Sequence, residues 1–248
     1  MVVLHGGGPG CHAAADFGEA IPLLKSRELV LVDLPGYGAS PLHRPAGPRF
    51  TNYANALDAL LEDLSIDTCD ILAQSLGGIA ALVLSALHPN RVRRIVAIGS
   101  QPLPAPPGIS VDPPLGSRVR ETYYGGTTSV ETLRRDVMAL EWKDADAIPS
   151  DLAQARYASS VSPAALAAAA DPQVLGTPED LSWVPSRVTA ATLVLWGSHD
   201  PFGEPAYGEW LARQLPHGSH AVIDGTAHHP QSERPSDTVH VIRKHLGT

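Results

Sequence analysis

Residues 70–83, DILAQSLGGIAALV, pass from an apolar strand to a small-residue helix across a corner two or three residues long. So tight a corner pushes Ser75 toward positive φ and requires tiny neighbours, here Gly77 and Gly78. Strain of this kind on a serine presents a hydroxyl at the top of a sheet, as in the G-x-S-x-G elbow, with Ala73 standing for the first glycine. The chain must therefore contain a strand–turn–helix unit at its centre.

The same alternation runs along the chain. Strands are predicted at 1–5 (MVVLH), 28–33 (ELVLVD), 68–73 (TCDILA), 93–99 (RRIVAIG), 192–197 (TLVLWG) and 220–224 (HAVID). Helices are predicted at 16–25, 51–65, 76–88, 206–215 and 235–246. The second of these carries Ala54, Leu57, Leu60, Leu61 and Leu64 at helical spacing. Short, continuously apolar strands separated by helices imply a parallel sheet covered on both faces, that is, a doubly wound, mostly parallel α/β domain. This core is expected over 1–100 and 189–248.

Residues 101–188 interrupt the pattern. They open on QPLPAPPGISVDPPLG, with Pro102, Pro104, Pro106, Pro107, Pro113 and Pro114, which excludes regular helix or a central strand. Helical segments follow at 117–124, 128–141 and 149–170, the last broken at Pro163. Tyr123, Tyr124, Trp142, Tyr157 and Trp183 lie here, in a chain only 5% aromatic. A helical insertion above the carboxyl edge of a parallel sheet is placed to act as a lid over a cleft.

Composition narrows the function. A net charge of −8 with no basic run argues against nucleic acid as a partner. No apolar stretch approaches a membrane span, and no basic segment followed by an apolar core opens the sequence, so a cytoplasmic location is expected. Abundant alanine and only three lysines (Lys25, Lys143, Lys244) point to a GC-rich bacterial genome. Cys11 and Cys69 form neither a disulfide framework nor a metal-ligand pattern, and no metal or cofactor is implied.

Three strand ends lead into chemically loaded loops. The first strand enters HGGGPG (5–10), whose glycines leave backbone N–H groups free to point into a cleft. The loop lacks the lysine and Ser/Thr of a P-loop and the spacing of a dinucleotide fingerprint. The strand at 192–197 leads to GSHDP, with Asp200, and the last strand leads to DGTAHHPQSERP, with His228 and His229. A serine hydroxyl needs an imidazole to take its proton, and that imidazole needs a carboxylate to fix its tautomer. Ser75, Asp200 and one of the two histidines, in that chain order, meet this requirement.

On VLHGGGPG, DLPGYGAS (33–40), QSLGG (74–78), LVLWGSHDPF (193–202), HHPQSE (228–233) and LAQARY (152–157), the chain resembles the α/β-hydrolase superfamily. Within it, the chain looks most like the meta-cleavage-product hydrolases, which cut a carbon–carbon bond in ring-fission products of aromatic degradation. The resemblance implies that Ser75 is the nucleophile, Asp200 the acid and His228 the base. It implies Gly7 and Leu76 as backbone donors of the oxyanion hole, and Arg156 as a lid arginine that anchors an acidic substrate. Gly8, Asp16, Gln74 and His229 fall at substrate-binding positions. Three of these depart from the family: Gln74 and Asp16 stand for asparagines, and His229 stands for a tryptophan. Asp16 is expected to repel an anionic dienoate if it faces the pocket.

Against that family the sheet begins at the third strand, so an edge at residues 1–5 or the neighbouring strand needs covering, and a homodimer or a longer natural chain is expected. The substrate expected is a small organic acid derivative, cleaved at an ester, lactone, thioester or carbon–carbon bond. A haloperoxidase-like perhydrolase and a non-catalytic ligand-binding relative are the alternatives.

Overall fold

The computed structural model describes residues 1–42, 47–112 and 115–247; Pro113 and Pro114 of the proline-rich segment lie outside the described residues. Six strands form one parallel sheet: β1 (Val2–Leu4), β2 (Val30–Val32), β3 (Cys69–Gln74), β4 (Val92–Ile98), β5 (Ala191–Gly197) and β6 (Gly218–Ile223). Their spatial order is β2-β1-β3-β4-β5-β6. All six match the continuous apolar runs of the sequence. β1 and β3 and most of β4 and β5 are buried on both faces, which leaves no polar alternation to obscure them, whereas the edge strands β2 and β6 are partly exposed. The edge falls on β2, the neighbour of residues 1–5, where Leu31 is 42% exposed.

The order positions the site. The chain leaves β1 toward β2 on one side and then returns to lay β3 on the other, with Val2 opposite both Val30 and Ile71. The carboxyl ends of β1 and β3 therefore flank the point where the strand order reverses, which opens a crevice in sheets of this kind. The HGGGPG loop and Ser75 both sit there.

Helices cover both faces. The segment expected as one helix over 16–25 is instead α1 (Ala13–Asp16) followed by turns and a 3-10 turn at Ile21–Leu24. Gly18 and Pro22 divide it, since glycine is costly in a helix interior and proline lacks the N–H. The long helices α2 (Arg49–Asp63) and α3 (Leu76–Leu87) follow the predicted ranges closely. α2 buries Tyr53, Ala54, Leu57 and Leu61 on one face, and α3 is buried over most of its length.

After β4 come α4 (Leu115–Gly125), α5 (Val130–Leu133), a π-helical segment (Arg134–Met138), α6 (Ala139–Glu141), α7 (Ser150–Ser160) and α8 (Pro163–Ala170). Ser129 and Thr132 close a capping box at the start of α5. Val119, Tyr123, Leu133, Val137, Met138 and Trp142 gather into an apolar cluster of their own, separate from the two clusters that line the sheet. β5 is followed by α9 (Pro205–Gln214), and β6 by the short α10 (Pro230–Glu233) and α11 (Pro235–Leu246). No helix of the described residues is long and apolar enough to cross a membrane.

Candidate active site

Ser75 occupies the corner between β3 and α3 at φ 47° and ψ −112°. Its N–H donates to the Ile98 carbonyl at 2.7 Å, and Gly77 N–H donates to the His5 carbonyl at 3.1 Å, so β4 and β1 hold the corner from either side. A Cβ on Gly77 would lie 2.6 Å from the His5 carbonyl oxygen, and one on Gly78 would collide with the Ser100 hydroxyl. Both glycines of SLGG are therefore required by close packing behind the corner, which secures the strained serine.

Asp200, just beyond β5, accepts the Phe202 N–H on Oδ1 at 2.9 Å and meets His228 Nδ1 through Oδ2 at 2.7 Å. A carboxylate only accepts, so Nδ1 of His228 donates and its Nε2 is left as the basic nitrogen. The backbone of His228 is fixed from two sides. Its N–H donates to the Glu141 carbonyl at 2.9 Å, and its carbonyl accepts from Gln74 Nε2 at 3.2 Å. Gly99, at φ +58°, makes room for the pair, since a Cβ there would stand 2.9 Å from the His228 ring. Burial opposes a charged imidazole, but the Asp200 charge and hydrogen bond, with Glu141 and Asp16 further off, outweigh it and raise the His228 pKa above 6.5.

A cavity of about 300 Å³ opens over this pair. Gly7, Gly8, Gln74, Ser75, Leu76, His228 and His229 are all on its wall. Gly7 and Leu76 face each other, a Cβ on the glycine lying 2.9 Å from the leucine side chain. The loop before them is braced by His5, which donates from Nδ1 to the Gly6 carbonyl at 2.6 Å and accepts the Leu34 N–H on Nε2 at 2.9 Å. Among the described residues the Ser75 hydroxyl makes no hydrogen bond; it shares the cavity wall with His228.

Two expected substrate contacts are elsewhere. Asp16 is buried behind the glycine loop, where its Oδ2 accepts the Gly6 N–H at 2.7 Å; it is absent from the cavity wall. It braces the loop from behind and does not face the pocket as expected. Arg156 is likewise buried and off the wall. One guanidinium nitrogen donates to Glu141 Oε2 at 2.6 Å, and the other two donate to the Pro9 carbonyl at 3.3 and 3.0 Å. It is neither a surface arginine nor an exposed anchor for an acid.

Glu141 is the residue that sequence reasoning missed. It lines the cavity, pairs with Arg156 and receives His229 Nε2 at 3.2 Å. Burial works against its charge, but Arg156 and His229 hold its carboxyl well below the usual carboxylate range. An acidic residue three positions after buried Met138, at the apolar phase of a helix, was the signal available in the sequence. His229 therefore serves Glu141, and His228 serves Asp200.

A family model described as the alpha/beta hydrolase fold matches residues 1–235. A 2-hydroxy-6-oxononadienedioate/2-hydroxy-6-oxononatrienedioate hydrolase from Cupriavidus pinatubonensis is 29% identical over all of this chain and 86% of its own length. A 2-hydroxymuconate semialdehyde hydrolase from a Pseudomonas species is 32% identical over 66% of this chain and 54% of its own. Among solved structures, a 2-hydroxy-6-oxo-6-phenylhexa-2,4-dienoate hydrolase from a Rhodococcus species superposes with a TM-score of 0.82 at 22% identity, covering all of this chain and 90% of the other. At that identity the structural likeness speaks for the fold. With the family match spanning nearly the whole sequence, the chain belongs to the α/β-hydrolase fold family and is most like the meta-cleavage-product hydrolases.

Proposed function

We propose that the protein is a serine-dependent hydrolase of a small carboxylic acid derivative, with Ser75 as nucleophile, His228 as base and Asp200 as its orienting acid. The observation that carries this reading is the 2.7 Å contact between Asp200 and His228 Nδ1 on the wall of the cavity that Ser75 also lines. In the reaction, Ser75 Oγ attacks the substrate carbonyl carbon while His228 Nε2 takes its proton. The backbone N–H groups of Gly7 and Leu76 receive the oxyanion. Collapse of the tetrahedral intermediate expels the leaving group, which takes the proton back from His228. Water, activated by the same imidazole, then hydrolyses the acyl-serine.

Ester-type substrates are favoured over dienoates. Carbon–carbon cleavage first requires ketonising a dienol, which needs cationic and polar groups around the substrate acid. Here the arginine matching that role is neutralised by Glu141, and the Glu141 carboxylate itself lies on the wall beside His228 and His229. With its other nitrogens on the Pro9 carbonyl, Arg156 has no nitrogen left free for a carboxylate placed near the nucleophile. The second reading, cleavage of a dienoate, is favoured by the names of the relatives. We also propose that residues 101–188 act as a lid on the 1–100 and 189–248 core, since Val119, Arg120 and Glu141 contribute to the same cavity wall as Ser75.

Both classes can be given to one preparation, short p-nitrophenyl esters beside a standard 2-hydroxy-6-oxodienoate. We expect ester turnover that Ser75→Ala abolishes, and weak or undetectable dienoate cleavage. Rapid dienoate turnover beside negligible esterase activity selects the second reading.

A further inference from the structure

The active-site cavity extends away from Ser75 to a pair of arginines whose charge the rest of the site leaves unanswered. Arg49, at the start of α2, and Arg120, on α4, both line the cavity that contains Ser75, and both also line an adjoining cavity of about 390 Å³. They therefore stand where the two spaces meet. Among the described residues, neither guanidinium forms an ion pair. Arg27, Arg91, Arg93, Arg118 and Arg156, by contrast, all do.

Each of the two is held on an aromatic face. Arg49 lies 5.8 Å from the Tyr53 ring centre and Arg120 lies 5.3 Å from that of Tyr124. Stacking of this kind orients a guanidinium fork without cancelling its charge. The tyrosines stay neutral, because burial pushes both phenols up to about 12. Of the carboxylates on the two walls, Asp112 is engaged by Arg118 and Glu141 by Arg156, and among the described residues Glu121, on the wall of the adjoining cavity, forms no ion pair with either arginine. In a chain of net charge −8, two oriented and unneutralised cations at one end of a cleft form a local site for an anion.

The nucleophile end offers no such free cation: Glu141, on the wall beside His228, and Arg156 neutralise each other at 2.6 Å. A free carboxylate on the substrate thus finds its unpaired cations at the arginine end.

We infer that Arg49 and Arg120 form a carboxylate clamp, so that the preferred substrate is an acyl compound with its reactive carbonyl at Ser75 and a free carboxylate at the distal end of the acyl chain. This rests on the serine-hydrolase reading and adds to it the substrate class: the half-ester or half-thioester of a dicarboxylic acid.

The test compares mono-p-nitrophenyl glutarate with p-nitrophenyl butyrate, which differ in the distal carboxylate. The wild-type protein should show a higher kcat/KM for the anionic ester. Arg49→Met and Arg120→Met should each lower the anionic-to-neutral ratio by about tenfold or more, as expected for losing a charge-assisted hydrogen bond. Arg135→Met, an exposed arginine of the insertion, should leave the ratio where it is. Loss in kcat/KM should appear mainly in KM, since the contact is made equally in ground and transition states. A wild-type ratio at or below one, or a ratio insensitive to both arginine variants, overturns the clamp.

Binding of mono-p-nitrophenyl glutarate to Ser75→Ala protein, read by calorimetry with and without each arginine substitution, separates the two claims. If no ester is turned over but binding still depends on the arginines, the serine-hydrolase reading fails and the clamp stands. If esters are turned over and binding ignores the arginines, the clamp fails and the hydrolase reading stands.

Discussion

In the proposed reaction the proton leaving Ser75 passes to Nε2 of His228, and nearby carboxylates govern when that nitrogen is free to take it. Burial disfavours the imidazolium, but Asp200 at 2.7 Å, with Glu141 and Asp16, raises its pKa above 6.5. The base must be neutral, so kcat/KM should rise with pH through a midpoint above 6.5. The stability linkage has the other sign. A raised folded-state pKa contributes stability that is fully present below 6.5 and is lost as pH rises through the folded value. Activity should therefore gain over the pH window in which melting temperature declines. Asp200→Asn removes the charge and the fixed tautomer together. It should lower turnover by about 10⁴-fold and shift the pH midpoint downward. His229→Ala should leave the midpoint near its wild-type value and act mainly on KM, because its partner is Glu141. A larger loss in the chemical step for His229→Ala than for His228→Ala would reverse the assignment of the two histidines.

At the scale of elements, Glu141 ties three segments together. Its side chain holds Arg156 of α7 and His229 of the final loop, while its carbonyl holds the His228 N–H. Arg156 in turn carries the Pro9 carbonyl of the glycine loop. Glu141→Gln leaves a buried guanidinium without its counter-charge, which costs about 3–5 kcal/mol where such pairs have been broken. Thermal or urea unfolding should show that loss, and the double variant with Arg156→Met should recover part of it. An unchanged melting temperature for Glu141→Gln would mean that the pair contributes nothing to holding these elements. Beyond the placement of Glu141 at the apolar phase of a helix, none of this network was legible in the sequence. Arg156 stood out by its likeness to a lid arginine, yet its partner is 15 positions away on another helix, and only tertiary packing brings them together. Asp16 was misplaced for the same reason. Its distance from the loop along the chain gave no hint that its carboxylate braces the Gly6 N–H.

Across the whole molecule, what could be read were features written locally. Six strands announced themselves by continuous apolar runs, the Ser75 corner by its glycines, and the order serine, aspartate, histidine by position after strand ends. The helix expected over 16–25 was not obtained, because Gly18 and Pro22 outweighed its apolar residues. Arg49 and Arg120 lay in no motif and became visible only when α2 and α4 were brought to one cavity. The central claim joins all of these: a parallel sheet whose switch point exposes one activated serine. Its most direct measurement is intact-mass and peptide analysis after exposure to a fluorophosphonate, which reacts with serines activated by a neighbouring base. A single adduct located on Ser75 is predicted, absent from Ser75→Ala and slowed roughly in step with turnover by His228→Ala. A folded wild-type protein that forms no adduct, or an adduct that persists in Ser75→Ala, would contradict it.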